Sequence, residues 1–206
     1  MRVDSPTRLR QCSDSTSIVE SVIHARKNTT PRRLCAPGPN PAQLDALLQA
    51  AAAAPDHGKL TPWRFVLIPE DRREDLAHAF RQALKERDSQ ATPSEIEAAG
   101  ERAARSPTLL LAIADMSDRE PAIPTEERIV SLGCAIQNML LLAQVMGFGS
   151  GLSSGRALQS AALRETLRIG ATEHAICFVS FGSVAVDRPC RPRPVVRAFY
   201  SVYDNR

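Results

Sequence analysis

The feature that most constrains the fold is a long segment without proline, from Thr125 to Met146, with an apolar middle. These roughly 22 residues contain no proline, carry two acidic residues near their start and end before Gly147, as a helix does. A helix of that length spans about 33 Å. Its middle is apolar on nearly every side, which predicts burial in the centre of a domain or along a dimer axis. The apolar residues in that middle are Val130, Leu132, Cys134, Ala135, Ile136, Met139, Leu140, Leu141 and Leu142.

Three other segments have the composition of β-strands, and helical segments lie between them. Residues 108–114 are continuously apolar between Pro107 and Asp115, which predicts a strand buried on both faces. The other predicted strands are residues 63–68 and 174–182, and residues 195–202 are a candidate edge strand. Helices are predicted over 17–26, from the Asn40-Pro41 start to before Pro55, and over 71–87, 94–105 and 159–168, with a flexible glycine-rich turn at 147–151. This alternation indicates an α/β or α+β protein.

The length of 206 residues favours one domain, which we place at residues 16–206. Residues 1–15 contain few apolar side chains, so we predict that they form a flexible N-terminal extension. The net charge of +3 is too small to indicate nucleic acid as the main partner. Basic residues concentrate near both termini, where they form either one anion site, if the termini meet, or two solvated patches.

The cysteines and the polar N-terminus indicate a cytoplasmic protein without a membrane partner. Five cysteines occur without a CxxC pair, a pattern that fits a reducing compartment better than a disulfide framework or a zinc site. Residues 1–16 lack the apolar centre of a signal peptide. By inspection of the sequence, no apolar run approaches the roughly 20 residues that span a bilayer.

Common catalytic motifs are missing from the sequence. It contains no GxSxG elbow, no HExxH pair, no GxGxxG turn and no P-loop. Asp56 and His57 would suit a hydrolase triad, but nothing places a nucleophile on a strained turn. The sequence therefore gives no indication of chemistry carried by a protein nucleophile.

Four stretches together resemble the nitroreductase family, in particular its YdjA-like branch, from about residue 17 to the end. The four stretches are the basic segment 25–34, the segment 53–65 with Pro55-Asp56-His57-Gly58-Lys59, the long helix with its loop 147–155, and residues 178–182 with the basic tail. The segment 53–65 is the most specific of them.

The resemblance implies an α+β, nitroreductase-like fold in which a central mixed or antiparallel sheet is flanked by helices. Two monomers interlock in a homodimer and bind two FMN molecules at their interface. NAD(P)H and then an acceptor use the same face of the flavin, in a ping-pong reduction of nitro compounds, quinones or a related small molecule. The alternative function is an FMN carrier or sensor with little turnover.

The resemblance also implies a set of FMN-binding residues, and no catalytic side chain because the flavin carries the reaction. Arg26 and Lys27 match two basic positions that suit the phosphate, and Asn28 or Thr29 matches the following hydroxyl position. His57 and Gly58 would form a turn at the polar edge or ribityl chain of the flavin. Leu152, Ser153 and Ser154 match a loop along the isoalloxazine ring. The structural alternatives are a solvated helix end at 26–27, a turn histidine bonded to a nearby carbonyl, and an ordinary glycine-rich turn.

Several residues depart from the family pattern or leave two choices open. Ala53 replaces an arginine of the branch, and Thr61 replaces a glutamine. Leu152-Ser153 replace a Trp-Arg pair, and this last change predicts a wider or less positive pocket. Lys59 suits either the phosphate or a negatively charged substrate. Trp63 is better interpreted as a core anchor. Arg191 and Arg193 are equal candidates for bringing the basic tail to the phosphate.

Overall fold

The computed structural model describes the backbone of residues 6–203 and the side chains of residues 14–203. The helices are α1 Pro6–Ala25, α2 Pro41–Ala52, α3 Arg73–Arg87, α4 Pro93–Gly100, α5 Thr125–Val145 and α6 Ala161–Thr166. The strands are β1 Leu34–Cys35, β2 Trp63–Leu67, β3 Thr108–Asp115, β4 Gly149–Ser153 and β5 Glu173–Val184.

The strands form one sheet centred on β3 and β5. Strand β3 pairs with β2 on one side and β5 on the other, and β5 also pairs with β4 and, near its end, with the short β1. All of these pairings are antiparallel, with Leu109 opposite Ser180 and Ser153 opposite Phe178. Helices cover both faces, so the predicted α+β fold is confirmed.

Alternation of side chains along β3 and β5 creates two cores. Leu110, Val179 and Phe181 point to one face, where they pack against α2 and α5. Leu109, Leu111 and Phe178 point to the other, where they pack against α3 and α6. We call these the α5 face and the α3 face.

Helix α5 is central, but the prediction that it is buried on nearly every side is wrong for a single chain. Its inner side packs on α2 and the sheet, whereas Ile129, Val130 and Val145 are exposed. By its length and its mean hydropathy of 1.4, this helix could cross a membrane. The expectation that the chain contains no apolar segment long enough to span a bilayer is therefore wrong. It lies against the sheet, and Arg128 is buried within the fold.

The segment 147–151 is not a flexible turn, because β4 begins at Gly149. A Cβ at Gly151 would lie 2.1 Å from the carbonyl oxygen of Thr29, so glycine is required there for close backbone approach. The structure therefore uses this glycine for packing against the chain that follows α1.

Both chain ends differ from expectation. Helix α1 begins at Pro6, so part of the segment predicted as a flexible extension is helical, while residues 1–5 lie outside the described residues. The candidate edge strand at 195–202 is wrong: Val196–Ala198 form a 3₁₀ turn in an exposed tail. Helix α2 begins as predicted, with a capping box between Asn40 and Gln43.

Candidate functional site

The segment that follows α1 adds to the free edge of β4. The Thr29 N–H donates to the Ser150 carbonyl at 2.8 Å, and the Leu152 N–H donates to Asn28 Oδ1 at 3.2 Å. Thr29 is only 2% exposed. The fold therefore brings the predicted residues 28–29 together with the predicted loop at 152–154.

The basic tail returns to this same segment. Arg193 Nη2 donates to the Arg26 carbonyl at 2.6 Å, and Lys27 Nζ donates to the Arg188 carbonyl at 3.2 Å. Lys27 also forms an ion pair with Asp187, and its hydrogen bond is the main cause that lowers the pKa of that carboxyl group. The two basic clusters therefore meet, and Arg193 is the tail arginine that bonds to the opening segment.

Arg26 and Arg193 differ from Lys27 in their ionic contacts. Within residues 14–203, neither side chain takes part in an ion pair. Lys27, in contrast, is engaged by Asp187. Two guanidinium groups on adjoining segments make a suitable site for a doubly charged anion such as a phosphate.

The turn at 56–61 has an unusual backbone. Gly58, Lys59 and Thr61 have φ angles of 69°, 54° and 45°, in the left-handed region that disfavours a β-branched residue such as threonine. Asp56 stabilises this turn, because its Oδ2 accepts from the Thr61 N–H at 2.7 Å. Strained turns that are held in this way are frequent at ligand sites.

His57 contacts the start of α5. Its Nδ1 lies 2.8 Å from Glu127 Oε2, so the partner is a carboxylate and not the nearby carbonyl considered as the alternative. The Nε2 atom remains available for another group, because the ring is exposed. Arg128, beside Glu127, donates to the carbonyls of four residues and fixes the start of this helix; they are Asp115, Ser117, Glu120 and Ile123.

A single chain does not bring all predicted site residues together. His57 and Gly58 lie beside the first turn of α5, whereas β4 follows its last turn. The 21-residue helix is about 32 Å long. In the described residues no hydrogen bond or ion pair joins the 56–61 turn to residues 26–29 or 152–154.

Other positions are resolved by their surroundings. Trp63 packs against the core of the α5 face, as expected of an anchor. Lys59, Thr61 and Ala53 are exposed. Glu127 and Asp187 support the site but were missed by sequence reasoning, and Asp56 was considered only as a member of a hydrolase triad. The sequence offered a signal only for Asp56, because an Asp shortly before a Gly is typical of a turn that its side chain stabilises. Glu127 is far from His57 in the sequence, so no local pattern links the two.

The sequence model of the Nitroreductase family matches residues 26–183. The chain belongs to the nitroreductase family. A relative from Haemophilus influenzae, named "Putative NAD(P)H nitroreductase", is 31% identical over 173 residues, which cover 83% of this chain and 92% of the relative. "Putative NAD(P)H nitroreductase YdjA" of Escherichia coli K12 is 28% identical over 73% of this chain and 81% of its own length.

Solved structures show the same fold. A nitroreductase-like protein from Bacillus cereus matches with a TM-score of 0.76 at 19% identity, over 91% of this chain and 96% of the other. A nitroreductase with bound FMN from Bacteroides fragilis matches with a TM-score of 0.66 at 19% identity, over 90% and 98%. The predicted family and its YdjA-like character are therefore confirmed.

Proposed function

We propose that this protein is an FMN-dependent NAD(P)H oxidoreductase that reduces nitro compounds, quinones or a related small acceptor, and that it works as a cytoplasmic homodimer. The observation that carries the proposal is the junction of the opening segment, β4 and the basic tail. This junction combines two guanidinium groups that form no ion pair within residues 14–203 with a strand edge, in a chain whose relatives are named NAD(P)H nitroreductases.

The phosphate of FMN would bind at Arg26 and Arg193. A phosphate dianion suits two guanidinium groups that meet no carboxylate within residues 14–203. Lys27 holds the tail in place through Asp187 and the Arg188 carbonyl, so it acts mainly by positioning. Asn28 and Thr29 fix the segment on β4, and the buried Thr29 keeps its backbone rigid.

The ring of FMN would lie along residues 152–154, where β4 leaves the sheet. Leu152 is 42% exposed and offers an apolar surface, while Ser153 and Ser154 provide hydroxyl groups and backbone amides. FMN, when bound, supplies the redox chemistry by accepting a hydride from NAD(P)H and passing electrons to the acceptor. The part of the chain would be to position this ring.

The outward side of α5 supports the homodimer. Val130 and Gln137 are exposed there, and a Cβ added at Gly133, which lies between them, would meet no atom within 4 Å. A two-fold axis across the middle of this helix would bring its first turn beside the last turn of its partner. The turn of His57 and Gly58 in one chain would then approach residues 26–29 and 152–154 of the other.

The exposed tail offers a second contact for the partner chain. Phe199 and Tyr200 are 70% and 64% exposed, and such aromatic residues usually gain cover in an interface. For the compartment, the cysteines between residues 14 and 203 are all free thiols, which agrees with the cytoplasm.

The visible spectrum of the freshly purified protein, followed by anaerobic mixing with NADH or NADPH, tests the proposed function. We expect a yellow dimer whose flavin absorbance bleaches within seconds. A yellow protein that stays unbleached would favour the FMN carrier or sensor. A colourless monomer that takes up no FMN on titration would contradict both functions.

A further inference from the structure

A separate cavity of about 390 Å³ opens on the α3 face of the sheet. Its floor is apolar and is formed mainly by Phe80 and Leu84 of α3 with Leu109 and Phe178 of the sheet. Its rim is basic. The arginines that line it are Arg32, Arg87, Arg102, Arg105 and Arg156.

The rim arginines have no nearby counter-charge in the cavity. The lining includes neither Asp nor Glu, and in residues 14–203 none of the five arginines forms an ion pair. Burial lowers the pKa of Arg105, and the positive charges of Arg32 and Arg102 lower it further, against a weaker opposite effect of Glu101. Like charges held this close repel each other, and an anion between them would relieve the repulsion.

Other arginines of the same fold are engaged by the protein itself. Arg64 bonds to Glu173 through two atoms, and Arg81 contacts Glu74 and Glu97. The buried Arg73 donates to the carbonyls of Ile68, Ala103 and Pro107. The rim arginines therefore differ from Arg64, Arg73 and Arg81, which have partners within the protein.

A buried hydroxyl group in the cavity also lacks a partner. Ser180 lies on β5, lines the cavity and is 0% exposed. Its Oγ makes no hydrogen bond to any described residue. Buried hydroxyl groups normally have a partner, so this atom provides an independent indication of a ligand.

We propose that this cavity binds a small organic anion, with its aromatic or aliphatic body on the floor and its carboxylate or phosphate group among the rim arginines. The hydroxyl of Ser180 provides a polar contact for the buried end of the ligand. The site goes beyond the proposed flavin chemistry, because Arg26, Lys27 and Arg193 do not line it. It meets the proposed flavin site only at Ser153 and Ser154.

Calorimetric titration tests this site with two probes of the same shape, naphthalene-2-carboxylate and naphthalene-2-carboxamide. The full chain is first saturated with FMN, so that the flavin site is not open to the probes. We expect the carboxylate to bind at least about tenfold more tightly than the neutral amide at low salt. Equal binding of the two probes, or binding of neither, would overturn the proposal.

The double variant Arg102→Gln/Arg105→Gln identifies the site. We expect it to lose the preference for the carboxylate and to keep both its affinity for the amide and its affinity for FMN. The control Arg72→Gln/Arg168→Gln removes the same charge outside the cavity and should retain the preference. Arg156→Gln provides a second rim variant in case the double variant does not fold.

The FMN affinity of these variants separates the two sites. If Arg102→Gln/Arg105→Gln weakens FMN binding as much as Arg26→Ala does, the cavity is part of the flavin site and the proposal is wrong. If neither the parent protein nor any variant binds FMN, the proposed function fails. The cavity is then still tested by whether the protein without FMN binds the carboxylate probe more tightly than the amide probe.

Discussion

The two faces of the sheet are built by the same strands but are completed in different ways. On the α5 face, Phe181 and its neighbours meet a long helix that fills the space along them. On the α3 face, shorter helices cover the sheet as far as Phe178, and Ser180 then faces a cavity. Alternation along one strand thus places a packed core residue and an unpartnered hydroxyl group side by side. The packed face provides rigidity, and the incompletely filled face leaves room for a ligand.

Removing a large side chain from the packed α5 face should have the largest effect on stability. Phe181 is 0% exposed, so Phe181→Ala should lower the free energy of unfolding by about 3–5 kcal/mol. Urea unfolding at a fixed protein concentration measures the change. Val186→Ala, at an exposed position, should change it by less than about 0.5 kcal/mol. Similar losses in both variants would contradict the packing described for this face.

The phosphate site should respond to loss of a single guanidinium group. Arg26→Ala should weaken FMN binding by about 10- to 100-fold, because a charge-assisted contact is lost, and should leave the far-ultraviolet circular dichroism unchanged. Fluorescence titration with FMN measures the affinity, with Arg72→Ala as the control for loss of charge. Full FMN occupancy in Arg26→Ala would remove Arg26 from the site.

A paired arginine on the α3 face provides a contrast with the cavity rim. Arg64 pairs with Ile113 across β2 and β3, and both side chains lie on the α3 face of the sheet. The hydrogen bond from Arg64 is the main cause that lowers the pKa of Glu173. A lowered carboxyl pKa adds stability above the value of the unfolded chain, and that stability is lost as the pH falls through the folded value.

Glu173→Gln should therefore lower the free energy of unfolding by about 1 kcal/mol near neutral pH, since the pair is partly exposed. The difference from the parent should shrink as the pH falls below about 4.5, the ordinary glutamate pKa. Urea unfolding from pH 7 to pH 3 measures it. If the difference in the free energy of unfolding between Glu173→Gln and the parent grew on acidification, this prediction would be wrong.

The smallest effect is expected at the hydroxyl group that faces the cavity. Ser180→Ala removes a buried Oγ that lacks a partner in the described structure, so stability should stay the same or rise by up to about 1 kcal/mol. Ser131→Ala is a matched control, because the Ser131 hydroxyl donates to the Pro55 carbonyl and its loss should destabilise the protein. Thermal unfolding compares the two variants. A clear loss in Ser180→Ala would show that this hydroxyl group has a partner in solution.

Much of the fold was predictable from local patterns. The apolar run of β3, the proline-free length of α5 and the Asn40-Pro41 start of α2 are signals within short windows, and the structure confirms each of them. Strand β4 was missed because its sequence is mostly glycine and serine, which have low strand propensity. Its conformation depends on pairing with β5 and with residues 28–29, and these contacts are distant in the sequence.

The family resemblance anticipated one juxtaposition of the candidate site, whereas His57 and Gly58, which it also assigned to the site, lie at the other end of α5 in a single chain. The resemblance placed residues 26–29 and 152–154 in one site, and the fold brings them together. Glu127 could not be assigned to His57 from the sequence, since the two are 70 residues apart and strands β2 and β3 lie between them in chain order. The five rim arginines are scattered between residues 32 and 156, so only the fold gathers them.

In the proposed dimer, each FMN site combines Arg26 of one chain with His57 of the other. The most direct test of this shared site is a heterodimer of two differently tagged chains, one Arg26→Ala and one His57→Ala, purified through both tags and titrated with FMN. One of its two sites would then carry both changes and the other neither, so we predict one FMN bound per dimer with the affinity of the parent. Two weakened sites, with none of parent affinity, would place both residues in the site of the same chain and contradict the shared site.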